Sequence, residues 1–99
     1  MAEYDAQLHV LRTAARAVGD PRHRHELETA RFKLFAALES GDDAEALAWL
    51  EALEVGFDAA TAGADQDPQR LTLRATTWAS IERAVTIIRD GLTEHDAAR

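Results

Sequence analysis

The sequence predicts an all-α fold, either an up-down antiparallel four-helix bundle or helical hairpins that complete a bundle by dimerisation. Three observations carry the expectation. Corners built from Gly, Asp and Pro divide the chain into four segments, apolar residues within the segments recur at steps of three and four, and no window alternates with a period of two for long enough to make a strand. Short connections between consecutive helices make them antiparallel neighbours.

The corners come first. "VGDP" (18–21) offers Gly19 as a helix terminator, Asp20 as an N-cap and Pro21 at the first helical position. "SGDDAEA" (40–46) places Gly41 at a helix end, and Asp42 followed three residues later by Glu45 resembles a capping box. "AGADQDPQR" (62–70) supplies Gly63 as stop, Asp67 as cap and Pro68 as first residue. These corners delimit helices of about 3–18, 21–40, 42–62 and 68–90 in a single domain, 1–91, with the segment after Gly91, 92–99, expected to fray.

Each segment has an apolar seam. The first carries Tyr4, Leu8, Leu11, Ala15 and Val18, and the second Leu27, Leu34, Phe35 and Leu38. The third carries Leu47, Leu50, Leu53 and Phe57, interrupted by Gly56, which costs about 1 kcal/mol relative to Ala and implies either a kink or a close helix contact. The fourth carries Leu71, Trp78, Ile81, Val85, Ile88 and Leu92.

Composition bounds the function. With 99 residues, 46% hydrophobic and 29% charged, the chain fits one globular domain and is too apolar to be wholly disordered. It has no cysteine, which excludes disulfides, thiolate zinc sites and cysteine nucleophiles. No stretch reaches the roughly 18 apolar residues of a membrane span, and the N-terminal residues lack the apolar core of a signal peptide, so the expected location is the cytoplasm with no membrane contact. The net charge of −7 is unevenly spread: residues 36–67 hold nine Asp or Glu and no Lys or Arg. Such a block repels nucleic-acid phosphates and attracts cations or basic partners, or is simply a solvated helix face.

Several large apolar residues fall off their seams at about 100° per residue. Leu73, Ala84 and Ile87 form a second stripe on the fourth helix, Phe32 lies about a third of a turn from the centre of the second, Trp49 sits at the edge of the third and Val55 points nearly opposite. Phe32, Trp49, Leu73, Ala84 and Ile87 are therefore the expected protein interface, and a homo-oligomer is the expected state. Two arginines fall inside seams instead. Arg31 and Arg74 are expected to meet Glu51 or Glu54 in a layer across the bundle, either as a polar layer with snorkelling side chains and Arg74 stacked on Trp78, or as a partly buried anion pocket.

"RHRHELE" (22–28) gathers the histidines. His23 and His25 stand about 200° apart on a helix, and the H-E-x-x-H pattern is absent, so no metal site is expected. Arg22 and Arg24 lie in a first helical turn, where positive charge opposes the helix dipole. Arg12 and Arg16 come to the same end of the bundle, and the four arginines make a candidate anion site. Aromatic residues for stacking on bases are not interleaved among them, which disfavours nucleic acid.

"RDGLTEH" (89–95) resembles the R-x(4–6)-H ribonuclease signature of HEPN-type helical domains. The resemblance covers seven residues and implies that Arg89 and His95 of two protomers would meet across a dimer cleft. Without a nucleophile and base, a metal constellation or a glycine-rich phosphate loop elsewhere, catalysis ranks third. The expected function is that of a small acidic helical subunit for protein interaction, assembly or regulation, without catalytic activity or cofactor, binding itself and another protein. The alternative is an accessory protein that binds an anionic ligand or nucleic acid through Arg12, Arg16, Arg22 and Arg24.

Overall fold

The computed structural model describes the backbone of residues 4–61 and 68–97, and the side chains of residues 4–60 and 78–94. The protein is all-α, with helices α1 (Asp5–Ala17), α2 (Pro21–Ser40), α3 (Asp43–Thr61) and α4 (Pro68–Ala97). Consecutive helices pack on one another, most extensively α2 on α3, and α1 packs on α4, which closes a four-helix bundle. The long axis of 46 Å is set by α4, whose 30 residues at about 1.5 Å each span nearly that length.

Local chemistry fixes the corners. Asp20 caps α2 by accepting a hydrogen bond from the Arg22 amide at 2.9 Å, with Pro21 in the first turn. Gly41 adopts φ 75°, and its amide donates to the Leu38 carbonyl while the Asp42 amide donates to the Ala37 carbonyl at 3.0 Å. These two bonds are the Schellman pattern, which a left-handed glycine permits. The Asp42 carboxylate then caps α3 by accepting from the Glu45 amide at 3.1 Å. The reciprocal bond of a capping box is not made, because the Asp42 amide is already committed to Ala37; the Glu45 carboxylate accepts from the Trp49 indole instead, at 3.4 Å. The third corner, residues 62–67, lies outside the described residues.

The core follows the seams. Leu11, Leu27, Leu34, Leu50, Leu53, Phe57 and Ile88 are fully buried, and Tyr4, Ile81, Val85 and Leu92 nearly so. Among the described residues no polar or charged residue is buried as a whole.

Two glycines show why helix packing overrides local propensity. Gly56 does not break α3; a Cβ there would stand 2.8 Å from Leu27 Cδ2, so the missing side chain lets α2 and α3 approach. Gly91 reads in the sequence as a helix stop, but α4 runs through it to Ala97. A Cβ on Gly91 would collide with the Tyr4 hydroxyl and lie 3.1 Å from Tyr4 Cζ, so this glycine makes room for the start of α1. Residues 92–97 accordingly continue the helix, where a frayed tail was the expectation.

Candidate functional site

The outer face of α2 and α3 holds an open groove of about 760 Å³. Small residues make its floor, with Ala30 from α2 and Ala48, Ala52, Gly56 and Ala59 from α3. Trp49 and Val55 stand along α3, and His25, Glu26 and Glu51 supply the polar rim. The lack of bulk at Gly56 brings the helices together, and the alanines leave their shared outer surface shallow and apolar. Val55 is 63% exposed, which is unusual for a β-branched residue beside so much apolar surface. Phe32, 58% exposed, lies two turns beyond His25 and within about 20° of its direction on α2, outside the residues that line the groove.

The expected interface residues separate on this geometry. Phe32 is exposed on the outer side of α2, Trp49 is half-buried at the α2–α3 groove, and Ile87 is 39% exposed on α4. Ala84 is not on an exposed stripe: it is 3% exposed and belongs to the core. The reason is that α4 packs against both α1 and α3, so its buried arc is wider than a narrow seam and takes in Ala84 beside Ile81, Val85 and Ile88. The Leu73 side chain lies outside the described residues.

The proposed layer of Arg31, Glu51, Glu54 and Arg74 is likewise divided. Arg31 flanks the α2 seam on the side of α1, Glu51 is exposed at the groove rim, and Glu54 faces α4, where it forms an ion pair with Arg89. The Arg74 side chain lies outside the described residues. Two elements of helical rotation decide this: Arg31 is displaced about 70° from the centre of the buried α2 face, and Glu54 about 80° to the other side of the α3 face. A second cleft, of about 430 Å³, lies between α3 and α4 around that ion pair, lined by Glu54, Asp58, Glu82 and Arg89 with Trp78.

The arginines regroup as well. Arg16 Nε lies 3.9 Å from Glu28 Oε1, and Arg31 is the next inward-flanking residue of α2 after Glu28. Burial, and then the positive charges of Arg12 and Arg16, push the Arg31 pKa below its ordinary value, while Glu28 acts in the opposite direction. The cationic group formed at the α1–α2 face is thus Arg12, Arg16 and Arg31. Arg22 is exposed at the outer start of α2, and Arg24 is half-buried one turn before Glu28. The signal for Arg31 was its position within a seam, and its partners followed only from the α1–α2 register.

His23 Nδ1 lies 3.5 Å from Asp20 Oδ2 at the α2 cap. Among the described residues no group of three or more His, Asp or Glu is arranged to hold a metal ion, and no helix is long and apolar enough to cross a membrane. His95, needed by the HEPN resemblance, falls on the helical backbone of α4, and its side chain lies outside the described residues. Arg89, the other half of that motif, is engaged by Glu54.

No family model matches this chain, and no curated protein or solved structure matches it either.

Proposed function

We propose that this protein is a non-catalytic assembly subunit that associates with a second copy of itself through the α2–α3 face. The observation that carries the reading is the apolar groove with Val55 exposed along it. Contiguous apolar surface of this kind is characteristic of interaction sites.

Charge favours a second copy as the occupant. Glu39, Asp42 and Glu45 cluster at the α2–α3 corner, whereas Arg22 and His25, with Glu26 among them, lie near the start of α2, roughly 20–25 Å away along the helix. An antiparallel two-fold pairing lays the acidic end of each copy over the basic end of the other, which makes the face self-complementary. The small-residue floor admits the bulk of Val55 from the partner.

Light scattering over a range of concentrations tests this. The expected result is a mass of two chains that falls to one in Val55→Glu and in Ala52→Glu, both at exposed positions, while Ile87→Glu leaves it unchanged. A single-chain mass for the unmodified protein at every concentration would overturn the proposal.

A further inference from the structure

Across α2 from the groove, Arg12, Arg16 and Arg31 converge on the α1–α2 face. Arg12 and Arg16 are one turn apart and so point the same way from α1. Arg16 approaches Glu28, Glu28 and Arg31 are one turn apart on α2, and the helices run antiparallel, so Arg31 falls level with Arg12. Three guanidinium groups thus face a single carboxylate, a local excess of two positive charges in a chain whose net charge is −7. That carboxylate is held loosely, at 3.9 Å, between side chains that are 59% and 44% exposed.

Arg31 is only partly buried, but the shielding falls on one of its donor nitrogens. Its Nε is shielded from solvent and has no hydrogen-bond partner among the described residues. A shielded charged donor without an acceptor is costly, and the two neighbouring cations add to the cost. The lowered pKa of Arg31 has the same two origins. Arg16 sits in the last turn of α1, where the helix dipole favours a cation, but neither helix formation nor core packing calls for Arg12 and Arg31 beside it.

We propose that Arg12, Arg16 and Arg31 form a receptor for a compact dianionic oxyanion of the phosphate class. The charge excess matches a dianion, and the guanidinium fork matches phosphate oxygens in a bidentate geometry that lysine would not reproduce. Binding gives the Arg31 Nε–H its acceptor after a small rotation of the side chain and relieves the repulsion among the three cations. A compact ligand is favoured over a nucleic-acid strand because residues 36–67, with nine carboxylates and no Lys or Arg, repel an extended polyanion. The site shares no residue with the α2–α3 groove and is independent of self-association.

The arginine Nε–Hε signals in a proton–nitrogen correlation spectrum report on the site directly, the Arg31 signal being assigned by its loss in Arg31→Lys. Inorganic phosphate and glucose 6-phosphate are titrated separately, with sodium chloride at matched ionic strength as the control. The Arg31 signal is expected to shift saturably with phosphate, and Arg12→Gln, at an exposed position, to weaken the affinity about tenfold. Tighter binding of the sugar phosphate assigns the site to a phosphorylated metabolite, and equal or weaker binding assigns it to the free ion. Shifts that match those in chloride, an unchanged affinity in Arg12→Gln, or stronger competition by a DNA oligonucleotide than by either phosphate would each overturn the proposal.

Discussion

Gly56 of α3 and Leu27 of α2 are packed so closely that a Cβ on the glycine would lie 2.8 Å from Leu27 Cδ2. Leu27 is 1% exposed, so its methyl group has little freedom to withdraw. Overpacking costs about 1–3 kcal/mol, and the gain in helix propensity from Gly to Ala returns about 1 kcal/mol. Gly56→Ala is therefore expected to destabilise the fold by about 1 kcal/mol in chemical denaturation. In a Leu27→Ala background the obstruction is gone, and the same substitution should stabilise, a reversal of sign that a double-mutant cycle reads directly. Additive effects would show that the two residues do not limit each other.

At Gly91 the obstruction is the Tyr4 ring, which is part of the core. Gly91→Ala should displace that ring and lower stability by about 2 kcal/mol, despite the better helix former. Near-ultraviolet circular dichroism, which senses tyrosine packing, should change while helix content is preserved. A more stable Gly91→Ala protein would contradict the packing role.

Arg31 offers a test with a pH sign. Its pKa is lowered on folding, so the native state binds fewer protons only in the far-alkaline interval between the folded and unfolded values, and stability rises with pH only there. At neutral pH the guanidinium is charged in both states, and its burial cost does not vary. Arg31→Met keeps an unbranched, flexible apolar stem and removes the charged head. It should raise stability by less than about 1 kcal/mol, since the group is only partly buried, and equally at mildly acidic and mildly alkaline pH. Loss of stability would mean that Arg31 is already well satisfied.

The Glu54–Arg89 pair bridges α3 and α4 with side chains 40% and 45% exposed. Such pairs couple by less than about 1 kcal/mol and are screened by salt. A double-mutant cycle on Glu54→Gln and Arg89→Gln should give a coupling of that size at low ionic strength and almost none at high. A larger, salt-independent coupling would make the pair a true element of the core.

The four helices were legible in the sequence because their signals are local. Asp20 with Pro21, and Gly41 with Asp42, act on their own backbone and need no neighbour. The helix seams were legible for the same reason, since spacing alone assigns a face. Gly56 and Gly91 were harder: each is explained by a residue on another helix, Leu27 or Tyr4, which composition does not identify. Ala84 was assigned to the wrong side because a helix with two neighbours buries a wider arc than its largest residues mark out. Arg31 and Glu54 were expected to meet, yet they flank opposite sides of the core, since helix rotation is fixed by the whole bundle. The groove was visible in part, through Trp49 and Val55, but its floor consists of alanines that carry no distinguishing pattern.

The Gly41 corner has a kinetic meaning too. It joins the two helices that share the most extensive contact through a connection of two residues, so their pairing sacrifices little chain entropy and can precede the rest. The α2–α3 hairpin is therefore expected to serve as the nucleus on which α1 and α4 settle. Trimming Leu34 or Leu50 should slow refolding, whereas trimming Leu8 or Leu92 should chiefly hasten unfolding.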